Sequence, residues 1–199
     1  MKKNIILLGL VLVAAACGDD PMASTGDKLT RSEAMAIAAS VDASGTAASI
    51  PTANVSSDQV NSPPGTVTTH QELSLPCPVS GRIATVLDLS VTFDVDQRNF
   101  GMDASGSLKH DHCAFVHEAV TLTVTGAPSV DFSTHAEVKA GLPVSTTSSA
   151  KGGFDWTASD GRSGHCGIDV KTTVDFAAKK RTTQGEVCGF SASETTSWT

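Results

Sequence analysis

The sequence predicts a mainly β protein: an antiparallel meander forming a strongly curved sheet, an open barrel or a sandwich, with one N-terminal helix and two disulfides. Three observations carry this expectation. Beyond residue 70, apolar and polar residues alternate in short runs, and Gly, Pro and charged turns separate the runs with no helical stretch between them. Tyr is absent and aromatic residues make up 5% of the 199-residue chain. Ser, Thr, Ala, Gly and Val dominate instead, a palette suited to thin sheets rather than to a deep aromatic pocket. Four of the five cysteines, Cys77, Cys113, Cys166 and Cys188, fall in this same part, none of them in a CxxC pair.

Taken in order, the chain opens with residues 1–16, which have the build of a signal peptide. Lys2 and Lys3 form a positive start, Ile5 to Val13 form an apolar stretch too short to span a bilayer, and Ala14, Ala15 and Ala16 supply small residues for cleavage. The run Val13-Ala14-Ala15-Ala16-Cys17 resembles the lipobox of bacterial lipoproteins. The resemblance implies that the Cys17 thiol receives a diacylglycerol, becomes the mature N-terminus and holds the protein to a membrane through acyl chains. Gly18, rather than Asp, follows the cysteine, which by the same resemblance favours the outer over the inner membrane of the cell envelope. Export in turn makes the remaining four cysteines an even set for two disulfides. Three pairings are open, and sequence order favours Cys77–Cys113 with Cys166–Cys188.

Residues 17–28 (Gly18-Asp19-Asp20-Pro21 onward) form a small, acidic tether. Residues 29–44 are expected to be an amphipathic helix. Thr30-Arg31-Ser32-Glu33 is a capping box, Leu29 sits ahead of it as the outer half of a hydrophobic staple, and Ala34, Ile37, Ala38 and Val41 recur at helical spacing before Gly45. Its apolar face is narrow and rich in alanine, so the helix must dock to persist. Residues 45–70 are a Ser/Thr/Pro linker broken by Pro63-Pro64-Gly65.

Residues 71–199 form the antiparallel β-domain. Leu73 and Leu75 start an alternation that Pro76-Cys77-Pro78 interrupts. Arg82 to Val95 alternates in two phases, Ile83 with Thr85 and then Leu89, Val91, Phe93 and Val95, which predicts a bulge between them. Phe100–Leu108 and Ala114–Thr125 read as strands, Gly126-Ala127-Pro128 as a turn, and Val130 to Val138 as a strand. The polar run Ser145–Lys151 reads as a loop. Phe154–Ala158, Cys166–Phe176 and Gln184–Ser191 complete the set. The segments Phe100 to His112-Cys113 and Phe154 to His165-Cys166 look alike and suggest a duplicated hairpin.

Charge and motifs narrow the function. The full chain carries a net charge of −7. An acidic chain without a basic stripe argues against nucleic acid as a partner. The densest chemical cluster is His110-Asp111-His112-Cys113 with His117. On a regular strand His110 and His112 would share a face and could share a metal, which makes His110, His112 and His117 the weak metal candidates. Asp94, Asp96, Asn99 and Asp103 do not keep calcium-loop spacing. Ser163 and His165 lie close together without a nucleophile elbow. The expectation is therefore no catalytic residue, no cofactor and no metal. The leading reading is a lipid-anchored envelope protein with a non-enzymatic structural or interaction role, its partner an envelope protein. The alternative is a carrier of a lipid or other apolar ligand, held in a cavity lined by Leu89, Val91, Phe93, Leu122, Val124 and Phe132. A metal-binding protein is the third.

Overall fold

The structure is a computed structural model, and it describes residues 28–38, 65–126 and 129–199. The expected signal peptide, Cys17 and its tether up to residue 27, residues 39–44 of the expected helix and most of the expected linker lie outside the described residues. What is described is one short helix, α1 (31–38), and one curved antiparallel sheet of ten strands.

The strands are β1 (Gly65–Pro76), β2 (Ser80–Asp94), β3 (Asn99–His117), β4 (Val120–Thr125), β5 (Val130–Lys139), β6 (Leu142–Ala158), β7 (Ser163–Asp175), β8 (Lys180–Val187), β9 (Phe190–Ser191) and β10 (Glu194–Ser197). They follow one another across the sheet as a meander. β4 and β5 share one lane: both pair with β3 on one side and β6 on the other, β4 beside the end of β3 and β5 beside its beginning. β4 and β5 run in the same direction; of the turn expected at Gly126-Ala127-Pro128, the last two residues lie outside the described residues.

Register assigns every side chain to one of two faces. Ile83, Thr85, Leu87, Leu89 and Val91 lie on the inner face of β2, opposite His110, Leu108, Gly106, Ala104 and Met102. The pairing runs without a shift from Arg82 to Asp94, so the bulge expected between Thr85 and Leu89 is absent. Leu87 simply continues the face. The irregularity sits instead between Ser80 and Arg82, where β3 carries an additional residue and His112 has φ 50°. The polar run Ser145–Lys151, expected as a loop, is the body of β6. Neighbours on both sides saturate its backbone, and backbone pairing overrides the weak strand preference of serine. The segment Ala114–Thr125 is a hairpin and not one strand: His117 pairs with Val120 around Glu118, whose φ is 53°. β1 begins at Gly65, inside the stretch expected to be linker. The apparent duplication does not survive. Phe100 to Cys113 is a single strand, whereas Phe154 to Cys166 spans the β6–β7 turn.

The core lies on the inner face in two clusters. The larger joins Leu29, Ala34 and Ile37 of the helical segment to Ile83, Leu108, Phe115, Leu122, Val124, Phe154, Trp156 and Val187. The smaller, around Leu87, Leu89 and Ala104, has Leu73, Val91, Met102 and Phe132 packed against it. Both disulfides, Cys77–Cys113 and Cys166–Cys188, adjoin the larger cluster. They have the pairing that sequence order favoured.

Candidate functional site: a polar sheet face and a clamped helix

Two features could carry function, the helix dock on the inner face and the polar outer face. At the dock the capping box forms as expected. The Glu33 amide donates to Thr30 Oγ1 at 3.2 Å, and Glu33 Oε2 accepts from the Thr30 amide at 2.7 Å. Glu33 also faces Arg162, from the β6–β7 turn, which donates to both of its carboxylate oxygens at 2.5 and 3.0 Å. The same guanidinium bonds Asp160 and the carbonyl of Lys28. Glu33 is almost fully buried. Hydrogen bonding from Arg162 overcomes that burial and lowers its pKa to about 2. A buried carboxylate needs such a partner to stay ionised. The clamp was not legible in the sequence, because Arg162 lies far from Glu33 along the chain and only the fold brings them together.

The outer face is built from cross-strand pairs of a basic side chain with a carboxylate. His70 on β1 meets Asp88 on β2 at 2.7 Å, Asp103 on β3 meets His135 on β5 at 2.6 Å, and Asp155 on β6 meets His165 on β7 at 2.9 Å. Each pair is directly opposite in register, and each imidazole uses Nδ1. Arg82–Asp111 and Lys151–Asp169 repeat the pattern. Asp88 raises the pKa of His70, first through the hydrogen bond and then through its charge. These side chains are more than half exposed for the most part, so each pair adds little stability. They do fix which residues sit side by side. An open depression of about 370 Å³ lies on this face between Thr68, His70, Asp88, Ser90, Asp103 and Ser105. A second of about 280 Å³ lies beside Gly152, Gly167, Asp169 and Glu186.

The metal candidates are not brought together. The bulge shifts the phase of β3, so His110 and His112 do not share a face. His110 points into the core at 1% exposure, its ring tilted at 60° to that of Phe154 with the centroids 5.9 Å apart, while His112 is exposed and bonded to Asp111. His117 Nε2 lies 3.4 Å from Ser32 at the helix. Cys113 is consumed by its disulfide. Among the described residues no three His, Cys, Asp or Glu side chains converge as a metal site requires. Both ring nitrogens of His110 and the hydroxyl of Thr85 are buried without a hydrogen-bond partner. Asp94 caps its own turn by accepting from the Gln97 amide, and His165, beside Ser163, is held by Asp155.

Of the six residues expected to line an apolar cavity, Leu122 and Val124 are fully buried in the larger cluster. Leu89 is buried in the smaller one, with Val91 and Phe132 packed against it. No family model matches the chain, and neither a curated protein nor a solved structure is significantly similar to it.

Proposed function

We propose that the chain is a lipid-anchored cell-envelope lipoprotein whose β-domain has a non-enzymatic structural or interaction role. The observation that carries the reading is the leader ending in Val13-Ala14-Ala15-Ala16-Cys17. The architecture beyond it is compatible. Lys28 lies eleven residue steps after Cys17, a reach of up to about 40 Å if extended, and at Lys28 the chain is gripped by Arg162. The domain thus hangs from its clamped end. The sheet offers a broad polar face on which side chains pair with one another and do not converge on a reacting atom. Carriage of an apolar ligand has less support, since five of the six residues that would line its cavity pack together in the two clusters and the sixth, Phe93, lies over Gly65.

The test is Cys17→Ser. The variant is expected to lose incorporation of labelled fatty acid and to leave the membrane fraction, or to accumulate unprocessed. Fatty-acid labelling and membrane association equal to the parent would overturn the reading.

A further inference from the structure

The sheet ends in two unlike edges. β10 offers four residues, Glu194–Ser197, whereas β1 offers twelve, Gly65–Pro76. Among the described residues β1 pairs with β2 alone. Its other side is a row of alternating N–H and C=O groups, a template for another strand. Protected edges carry lysine, an internal proline or a bulge. β1 has no lysine, no shift in its register with β2, and proline only at its last position.

We propose that β1 pairs with the β1 of a second copy of this chain, antiparallel about a two-fold axis at Gln71, so that two sheets join into one. A two-fold axis perpendicular to the sheet keeps both polar faces on the same side and requires one residue to meet its own mate. Centring on His70 would oppose two imidazoles, and centring on Glu72 would oppose two carboxylates, which is unfavourable across a strand pair. Centring on Gln71 sets His70 against Glu72 of the second copy, twice. Thr68 then meets Ser74 on the polar face. On the inner face Leu73 meets Thr69, Leu75 meets Val67, and the two Gln71 amides meet at the axis. Every residue from Thr66 to Pro76 finds a partner. His70 already gives Nδ1 to Asp88 at 2.7 Å, its Nε2 lies 3.8 Å from Glu72 of its own chain, and Glu72 is 79% exposed, so pairing across the axis replaces this long contact with the second copy's carboxylate. An imidazole between two carboxylates is held protonated, with both nitrogens donating.

The proposal does not depend on the lipid anchor and is tested without it. In the exported full chain carrying Cys17→Ser, the two disulfides consume every native cysteine that remains. Gln71→Cys in this background is expected to give a disulfide-linked dimer on a non-reducing gel, because opposed Cα atoms in such a pair lie within disulfide reach. Thr69→Cys and Leu73→Cys should each stay monomeric alone and cross-link to one another when co-expressed with different tags. Adding Glu72→Arg to the Gln71→Cys chain should weaken dimerisation about tenfold, since two attractive pairs become repulsive. A Gln71→Cys chain that stays monomeric overturns the proposal, as does an adduct with a different protein. Equal self-linking at positions 69, 71 and 73, or indifference to Glu72→Arg, overturns the register and with it the proposal.

Discussion

His110 shows what a single residue decides. Burial alone pushes its pKa down to about 4, so the folded protein holds the ring neutral where the unfolded chain, with an ordinary pKa near 6.5, begins to bind a proton. The part of the stability that His110 governs is therefore full above about pH 6.5 and declines as the pH falls toward 4, by up to about 3 kcal/mol. Denaturant titrations across that window should show the decline in the parent. His110→Leu, which removes the ring and its two unpartnered nitrogens, should flatten it. A parent whose stability is level from pH 6.5 to 4 would contradict this account. Gly106 is the complementary case. A Cβ there would lie 2.0 Å from the Val86 carbonyl oxygen and 2.8 Å from the Phe132 ring, which occupies the space the glycine leaves open. Phe93 covers Gly65 and Trp156 covers Gly164 in the same directly opposed way, a device that stiffens bent sheets at their weakest residues. Gly106→Ala should destabilise more than a typical surface glycine substitution, with a drop in melting temperature as the readout.

At the scale of elements, the helix and its clamp form the most sharply defined unit. Glu33 contributes stability that is present above about pH 4.5 and lost as the pH falls toward 2, a window below that of His110. Arg162→Met leaves a buried carboxylate without its partner and should cost about 3–5 kcal/mol. It should also raise hydrogen exchange at the amides of residues 31–38, and unchanged exchange there would argue that packing of Leu29 and Ile37 holds the helix unaided. The capping box was legible because it is local: Thr30 and Glu33 lie one turn apart and their residue types admit little else. The two disulfides were legible as a set for the same kind of reason. What escaped the sequence was set by neighbours across the sheet. Ser145–Lys151 has the composition of a loop and becomes a strand because β5 and β7 flank it. The Glu118 turn hid because it lacks the glycine or asparagine that usually marks positive φ. His110 and His112 looked like metal ligands because a period of two was assumed, and one bulge broke it.

For the whole molecule, support is unevenly distributed along the strands. Helix α1, both disulfides and the larger core cluster gather at the end where the chain passes from β1 to β2, from β6 to β7 and out of β8. The opposite end holds the Val95–Arg98, Ala140–Gly141 and Phe176–Lys179 turns and has neither disulfide; large apolar side chains are exposed at both ends, Val79 and Val116 at the stapled one and Val95, Phe100, Leu142 and Trp198 at the other. Cross-links closing loops of this sequence separation, 36 and 22 residues, stabilise by about 3–4 kcal/mol each in the chain-entropy account. Local opening follows contact density and burial, so protection from exchange should form a gradient along each strand. Amides near Ile83, Cys113, Phe154 and Ile168 are expected to be the slowest. Those near Phe93, Met102, Val144 and Val174, toward the other end of the same strands, should exchange faster. Replacing Cys166 and Cys188 together by alanine should flatten the gradient in β7 and β8 more than in β2 and β3, where Cys77–Cys113 remains. Uniform protection along the strands of the parent would show that the sheet opens as one unit, and that the stapled end confers no local advantage.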